Sequence, residues 1–201
     1  MLRKENIRLF EEISDHLLKD EKPSLYLKTI PEDNVPFDMF RKLKETEQSK
    51  KHHPEGNVWN HTLLVVDEAA KVREKSKGKK AFMWAALLHD IGKPETTVIK
   101  GEKVTAYNHD RAGVKRAIEF LSFLTEDSDF IDKVAALIRW HMQILFVVND
   151  LPFQNIAEMK RSGDIEEIAL LGYCDRIGRL SPDIKKEKNN IKIFLDRCKK
   201  H

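Results

Sequence analysis

Apolar positions recur with helical spacing along most of the chain. Ile7, Phe10, Ile13 and Leu17 share one face and predict a helix over residues 4–18. Pro23, Pro31 and Pro36 interrupt the stretch that follows, and a short helix is expected around 37–43. ETEQSKKHHPEGN is polar and carries Pro54 and Gly56, which predicts a loop. Helical periodicity resumes near Asn60 and runs to about Arg73, KSKGKK reads as a solvent turn, and an apolar helix is expected over 80–90. Further helices are expected at 109–124, 129–145, 153–160, 164–178 and 187–199. The one strand signal is TTVIKGEKVTAY, two β-branched runs around Lys100–Lys103 that suit a tight hairpin. The pattern predicts an all-α helical bundle with one small β-hairpin near residues 96–107.

Several apolar stripes carry a residue that does not belong on them. Val134, Leu137 and Ile138 lead at i, i+3 and i+4 to His141, and Ile168, Leu171 and Gly172 lead likewise to Asp175. His61 heads a stripe through Leu64, Val65, Ala69 and Val72, and His109 heads one through Ala112, Gly113, Ala117 and Phe120. The charge-free run Ala81–Leu88 ends in His89 and Asp90. Taken singly, each has an ordinary explanation. His109 and His141 could cap helices, and Asp175 could pair with Arg176 or Arg179. Together they send histidines and carboxylates inward from separate helices, and burying an unpaired charge costs on the order of several kcal/mol. A shared metal site removes that cost, because imidazole nitrogen and carboxylate oxygen both bind divalent cations. His52 and His53, in the polar loop, are expected to be solvated, and His16 and His201 carry no signal.

Composition narrows the picture only modestly. The chain has 201 residues, 41% apolar and 34% charged, which suits one soluble domain. The net charge of +3 makes no case for nucleic-acid binding by itself. No apolar run reaches the roughly 20 residues of a bilayer span, and the N-terminus lacks the pattern of a secretory signal. Two cysteines, Cys174 and Cys198, give no disulfide framework, so a cytoplasmic location is expected.

His61, then His89-Asp90, then Asp175 resembles the H…HD…D signature of the HD-domain metal-dependent phosphohydrolases. The wording of HPEGNVWNHTLLVVDEAA, AALLHDIGKPETT, YNHDRAG and CDRIGR is similar to the HD domain of bacterial CCA-adding tRNA nucleotidyltransferases. The chain has no glycine-rich nucleotidyltransferase segment with paired aspartates, so a stand-alone HD domain is expected and nucleotide addition is not carried over. The resemblance implies an HD core over residues 51–181, preceded by an N-terminal helical extension (1–50) and followed by a C-terminal helix (182–201). The extension is left open as a lid, a cap or a dimer face.

The resemblance further implies that His61, His89, Asp90 and Asp175 bind one metal ion, with His109 and His141 holding a second and Asp90 bridging. Lys93 stands where some one-metal relatives carry a catalytic Glu, which favours two ions. Fe, Mn, Ni, Co, Zn and Mg are all admissible. The implied reaction is attack of a metal-activated hydroxide on a phosphate ester, with Asp90 and Lys93 as the catalytic pair. Lys93, Arg176, Arg179 and Arg111 are candidates to hold the phosphate, and Glu68 to support His61. Expected substrates are nucleotides or similar small molecules, among them 2′,3′-cyclic or 2′/3′-phosphorylated nucleotides, with RNA ends as a further partner and no membrane. The alternative is a non-catalytic module of the same fold that binds a nucleotide or RNA.

Overall fold

The computed structural model describes residues 2–200; His201 lies outside them. Helix α5 (Lys79–Leu88) runs through the middle. All eight residues from Ala81 to Leu88 are buried, so the helix has no solvent face and must be enclosed on every side. It packs against α1 (Leu2–Lys19), α4 (Val58–Val72), α8 (Ser128–Trp140) and α11 (Ile165–Ile177). The N-terminal residues join this core. Phe10 lies 4.9 Å from Trp84, and Ser14 accepts the Trp84 indole hydrogen. Phe40 of α3 (Asp38–Glu45) stacks on Trp59 at 4.8 Å. Ile7, expected on the buried face of α1, remains 41% exposed.

The hairpin pairs β1 (Thr97–Lys100) with β2 (Lys103–Ala106), antiparallel, with Gly101 at φ +59° in the turn. It delivers the chain to α7 (His109–Ser122), which packs along α8. Two short elements lie outside the periodicity, α2 (Ser24–Leu27) and α6 (Lys93–Thr96), the latter with Pro94 in its first turn. Gly92, which precedes α6, has an ordinary φ of −82°. Its requirement is proximity: a Cβ there would sit 2.2 Å from the His109 carbonyl oxygen and 2.4 Å from the Gly113 nitrogen. The chain beyond Asp90 therefore lies directly on the start of α7.

The helix expected over 129–145 is two helices, α8 and α9 (Gln143–Val148), parted at His141 and Met142. Neither Pro nor Gly explains the break. The His141 ring does, because its Nδ1 donates to the Ile138 carbonyl at 2.6 Å, the acceptor that the Met142 amide would use in a continuing helix. The chain then turns through residues 149–155 into α10 (Ile156–Ser162), and α11 and α12 (Ile184–Lys200) close the bundle.

Candidate metal centre

The inward polar residues sit at or near helix ends, where backbone groups are free to orient them. His61 lies in the first turn of α4, which is capped by Asn57 accepting from the Asn60 amide at 2.9 Å. His89 and Asp90 follow the last turn of α5, His109 opens α7, His141 closes α8, and Asp175 lies in the last turn of α11. All six are buried, with His61 and His89 at 0% exposure.

Three of the four histidines are fixed in the same way. Nδ1 of His89, His109 and His141 each meets the carbonyl three residues earlier, Ala86 at 2.9 Å, Ala106 at 2.7 Å and Ile138 at 2.6 Å. A carbonyl oxygen only accepts, so each Nδ1 carries the hydrogen and each Nε2 is the ring atom left to face the interior. The Nε2 atoms of all four histidines converge on Asp90. Its Oδ2 lies 3.2 Å from His89 Nε2 and 3.9 Å from His61 Nε2; its Oδ1 lies 3.5 Å from His109 Nε2 and 4.0 Å from His141 Nε2. Asp175 reaches this set through His61, its Oδ1 lying 2.9 Å from His61 Nε2.

Two observations test whether a cation fits. His89 Nε2 is buried without a hydrogen-bond partner, a state that normally carries a penalty, while the neighbouring Asp90 Oδ2 meets the Lys93 ammonium at 2.6 Å. His109 Nε2 and His141 Nε2 face one another at 3.2 Å. Burial lowers the pKa of both rings, that of His141 to about 4, so at neutral pH neither has a proton to share. A Lewis acid between the atoms satisfies both groups, and the nitrogen and oxygen donor set suits a divalent transition metal. His61, His89 and Asp90 form one cluster able to hold an ion, and Asp90, His109 and His141 form another.

The carboxylates are held ionised. Burial opposes the charge on Asp90, but Lys93 and the surrounding histidines keep its pKa well below the ordinary range. Asp175 is depressed in the same way against burial, by His61 and by Arg179 at 3.6 Å. His61 is the exception among the rings: burial lowers its pKa, yet Asp175 and Glu55 outweigh that and raise it.

Glu55 is a residue that sequence reasoning passed over. Its Oε1 lies 2.9 Å from His61 Nδ1, off the line for a hydrogen bond, and 2.9 Å from His53 Nδ1. A carboxylate behind the ring of a metal-binding histidine fixes its orientation and raises its basicity. His53, expected to be solvated, stands instead edge-on to His61 at 4.6 Å, and burial lowers its pKa to about 4. His52 remains exposed. Periodicity cannot report on a loop, and the turn at Gly56 (φ +100°) that returns Glu55 to the site is the signal that was available.

Other candidates are placed differently from expectation. Glu68 pairs with Lys71 at 2.6 Å on the outer side of α4 and does not support His61. Lys93, the candidate catalytic and phosphate-holding residue, is buried and engaged, 2.6 Å from Asp90 Oδ2 and 2.5 Å from Gln48 Oε1. Arg176 turns away from Asp175 into a two-pronged pair with Glu187 of α12, at 2.8 and 3.2 Å. Arg179 keeps to Asp175, and Arg111 is exposed. All four cations line a cavity of about 1090 Å³ that also exposes Asp90, His109, His141 and Asp175.

Residues 58–147 match the HD domain family. The chain is 32% identical to the multifunctional CCA protein of Actinobacillus pleuropneumoniae serotype 5b over 124 residues, 60% of this chain and 30% of that protein. It is 35% identical to that of Halorhodospira halophila over 96 residues (47% and 21%) and 28% identical to that of Alkalilimnicola ehrlichii over 185 residues (86% and 42%). The chain thus spans less than half the length of these relatives. Among the described residues, no helix is long and apolar enough to cross a membrane. Over residues 58–147 this chain carries an HD domain, and its wider similarity runs to the multifunctional CCA proteins.

Proposed function

We propose that the chain is a metal-dependent phosphohydrolase acting on a phosphate ester of a nucleotide or a similar small molecule. The observation that carries the reading is the pair of Nε2 atoms of His109 and His141, facing each other at 3.2 Å beside Asp90 on the wall of an open cavity. That arrangement is costly in an empty core and useful around a cation. His61, His89, Asp90 and Asp175 would hold one ion, and Asp90, His109 and His141 a second. Such ions acidify bound water and withdraw charge from phosphoryl oxygens.

The chain's own groups supply the rest. The carbonyls of Ala86, Ala106 and Ile138 keep each Nε2 aimed inward, and behind His61 the Glu55 carboxylate, 2.9 Å from Nδ1, places a negative charge. Lys93 and Arg179 place positive charge on the cavity wall beside Asp90 and Asp175, where it favours a phosphate over a neutral ester. Arg111 adds a charge at the exposed rim. Arg176, engaged by Glu187, shapes the wall and is the weakest of the four as a phosphate ligand. The similarity to multifunctional CCA proteins favours nucleotides, including 2′,3′-cyclic and 2′/3′-phosphorylated ones.

The test is turnover of bis(p-nitrophenyl) phosphate and adenosine 2′,3′-cyclic monophosphate by protein loaded with Mn, Fe, Ni or Co. Hydrolysis that disappears in Asp90→Ala supports the proposal. Tight nucleotide or RNA binding without turnover under every metal favours the alternative, a binding module of the same fold.

A further inference from the structure

The far wall of the cavity is built for something other than a phosphate. Residues 149–155 link α9 to α10 and carry Phe153, whose ring is 62% exposed and lines the cavity. A single exposed Phe is ordinary, but this one lines a cavity that also carries Lys93, Arg111 and Arg179. The backbone under it is fixed at several points. The Leu151 amide donates to the Phe146 carbonyl at 2.8 Å, and the Gln154 amide to the Leu151 carbonyl at 3.1 Å. Gln143 is 2% exposed and holds the segment with both ends of its amide: Oε1 accepts from the Asn155 nitrogen at 2.9 Å, and Nε2 donates to the Phe153 carbonyl at 3.3 Å. The Phe153 ring rests on Phe146, centroids 5.6 Å apart and planes tilted by 58°.

Gln143 lies two residues beyond His141, so the grip on the Phe153 loop and the orientation of the metal-facing ring are set by the same break between α8 and α9. Phe153 is therefore an apolar plane, fixed through Gln143, on the wall of the cavity that also exposes Asp90, His109 and His141. Its cavity supplies cations at Lys93, Arg179 and Arg111 and one further exposed ring, Tyr107 (69% exposed), two residues before His109. Cations beside a flat aromatic surface match a ligand with an anionic group and a planar ring. Among phosphate esters that ligand is a nucleotide, whose base stacks on an aromatic side chain whatever its identity. A sugar phosphate or glycerol phosphate would leave the ring in water.

We propose that Phe153, backed by Phe146 and positioned by Gln143, is the platform for the nucleobase of the substrate, so that Phe153 sets the preference for nucleotides over base-free phosphate esters. The proposal rests on the phosphohydrolase reading for the phosphate end of the same cavity.

The experiment compares AMP with ribose 5-phosphate, by equilibrium binding and by KM and kcat on metal-loaded protein. Phe153→Ala is expected to weaken AMP binding about tenfold, raising KM more than it lowers kcat, and to erase most of the preference over ribose 5-phosphate. Phe153→Trp should restore the preference, and its added fluorescence should be quenched by AMP but not by ribose 5-phosphate. Phe123→Ala, exposed outside the cavity, is the control and should change neither ligand. Equal affinity of the native protein for both ligands, or equal loss of both in Phe153→Ala, would overturn the platform and leave the hydrolase reading standing. AMP binding that depends on Phe153, with no turnover of AMP, ribose 5-phosphate, bis(p-nitrophenyl) phosphate or adenosine 2′,3′-cyclic monophosphate, would support the platform and remove the hydrolase reading instead.

Discussion

At one end of the histidine cluster His61 stands between two carboxylates, Asp175 and Glu55, each 2.9 Å away. At the other end His109 and His141 face each other at 3.2 Å, with only one oxygen of Asp90 nearby. Both ends are buried, yet burial has opposite outcomes. The acids raise the His61 pKa, whereas His109 and His141 are pushed down and stay neutral. At the first end the charges are compensated within the protein, although His89 Nε2 has no hydrogen-bond partner. At the second, two ring nitrogens face each other without an acid between them. Affinity for a guest is thus distributed unevenly, and the strongest structural argument for a second cation comes from the end with the fewest charges.

The comparison breaks most severely at Asp90, the one residue shared by both ends. Asp90→Ala should abolish metal retention and lower turnover by at least about a thousandfold, measured by elemental analysis alongside kcat/KM. Next come opposite effects on the metal-free protein. His61→Ala strands Asp175 and Glu55 without their partner and should cost about 3–5 kcal/mol in denaturant unfolding with a chelator present. His141→Leu removes one of two opposed lone pairs at similar volume and should change metal-free stability by less than about 1 kcal/mol. Equal losses in both variants would mean that the two ends do not differ as described.

Gly92→Ala would drive a methyl group into the backbone of α7 and should cost about 1–3 kcal/mol. It should also weaken the His109 end before the His61 end, which metal titration can separate. Glu55→Ala should reduce metal affinity by about 10–100-fold, read by chelator competition, with Glu55→Gln retaining part of it.

The smallest effect is on acid stability without metal. His53 and His141 have folded pKa values of about 4, against about 6.5 in an unfolded chain. Between those values the unfolded chain binds protons that the folded protein refuses. The stability that these two rings contribute is therefore complete above about pH 6.5 and is lost as the pH is lowered towards 4, whereas His61, whose pKa is raised, contributes with the opposite sign. His141→Leu should shallow that slope in chelated protein; an unchanged slope would show that the ring is not held neutral by burial.

How much of this was legible in the chain depends on what each residue's neighbours are. His61, His109, His141 and Asp175 lie on helices whose apolar spacing declares an inward face, so their convergence could be read before any fold was known. The break at His141 could not. It comes from a side chain taking its own helix's carbonyl, a choice made by the ring's orientation rather than by any helix breaker in the sequence. Glu55 and His53 lie in a loop, where no period exists to aim a side chain. Arg176 adjoins Asp175 in sequence but is captured by Glu187 from α12, and Glu68 by Lys71. Such pairings are settled by packing that local spacing does not contain.

The central claim is that the two ends of the cluster hold separate ions. Metal content per chain, measured by elemental analysis after loading and desalting, tests it most directly when native protein and His141→Leu are compared. The account predicts about two ions in the native protein and about one in the variant. The same count in both, or none in the native protein after loading, would contradict it.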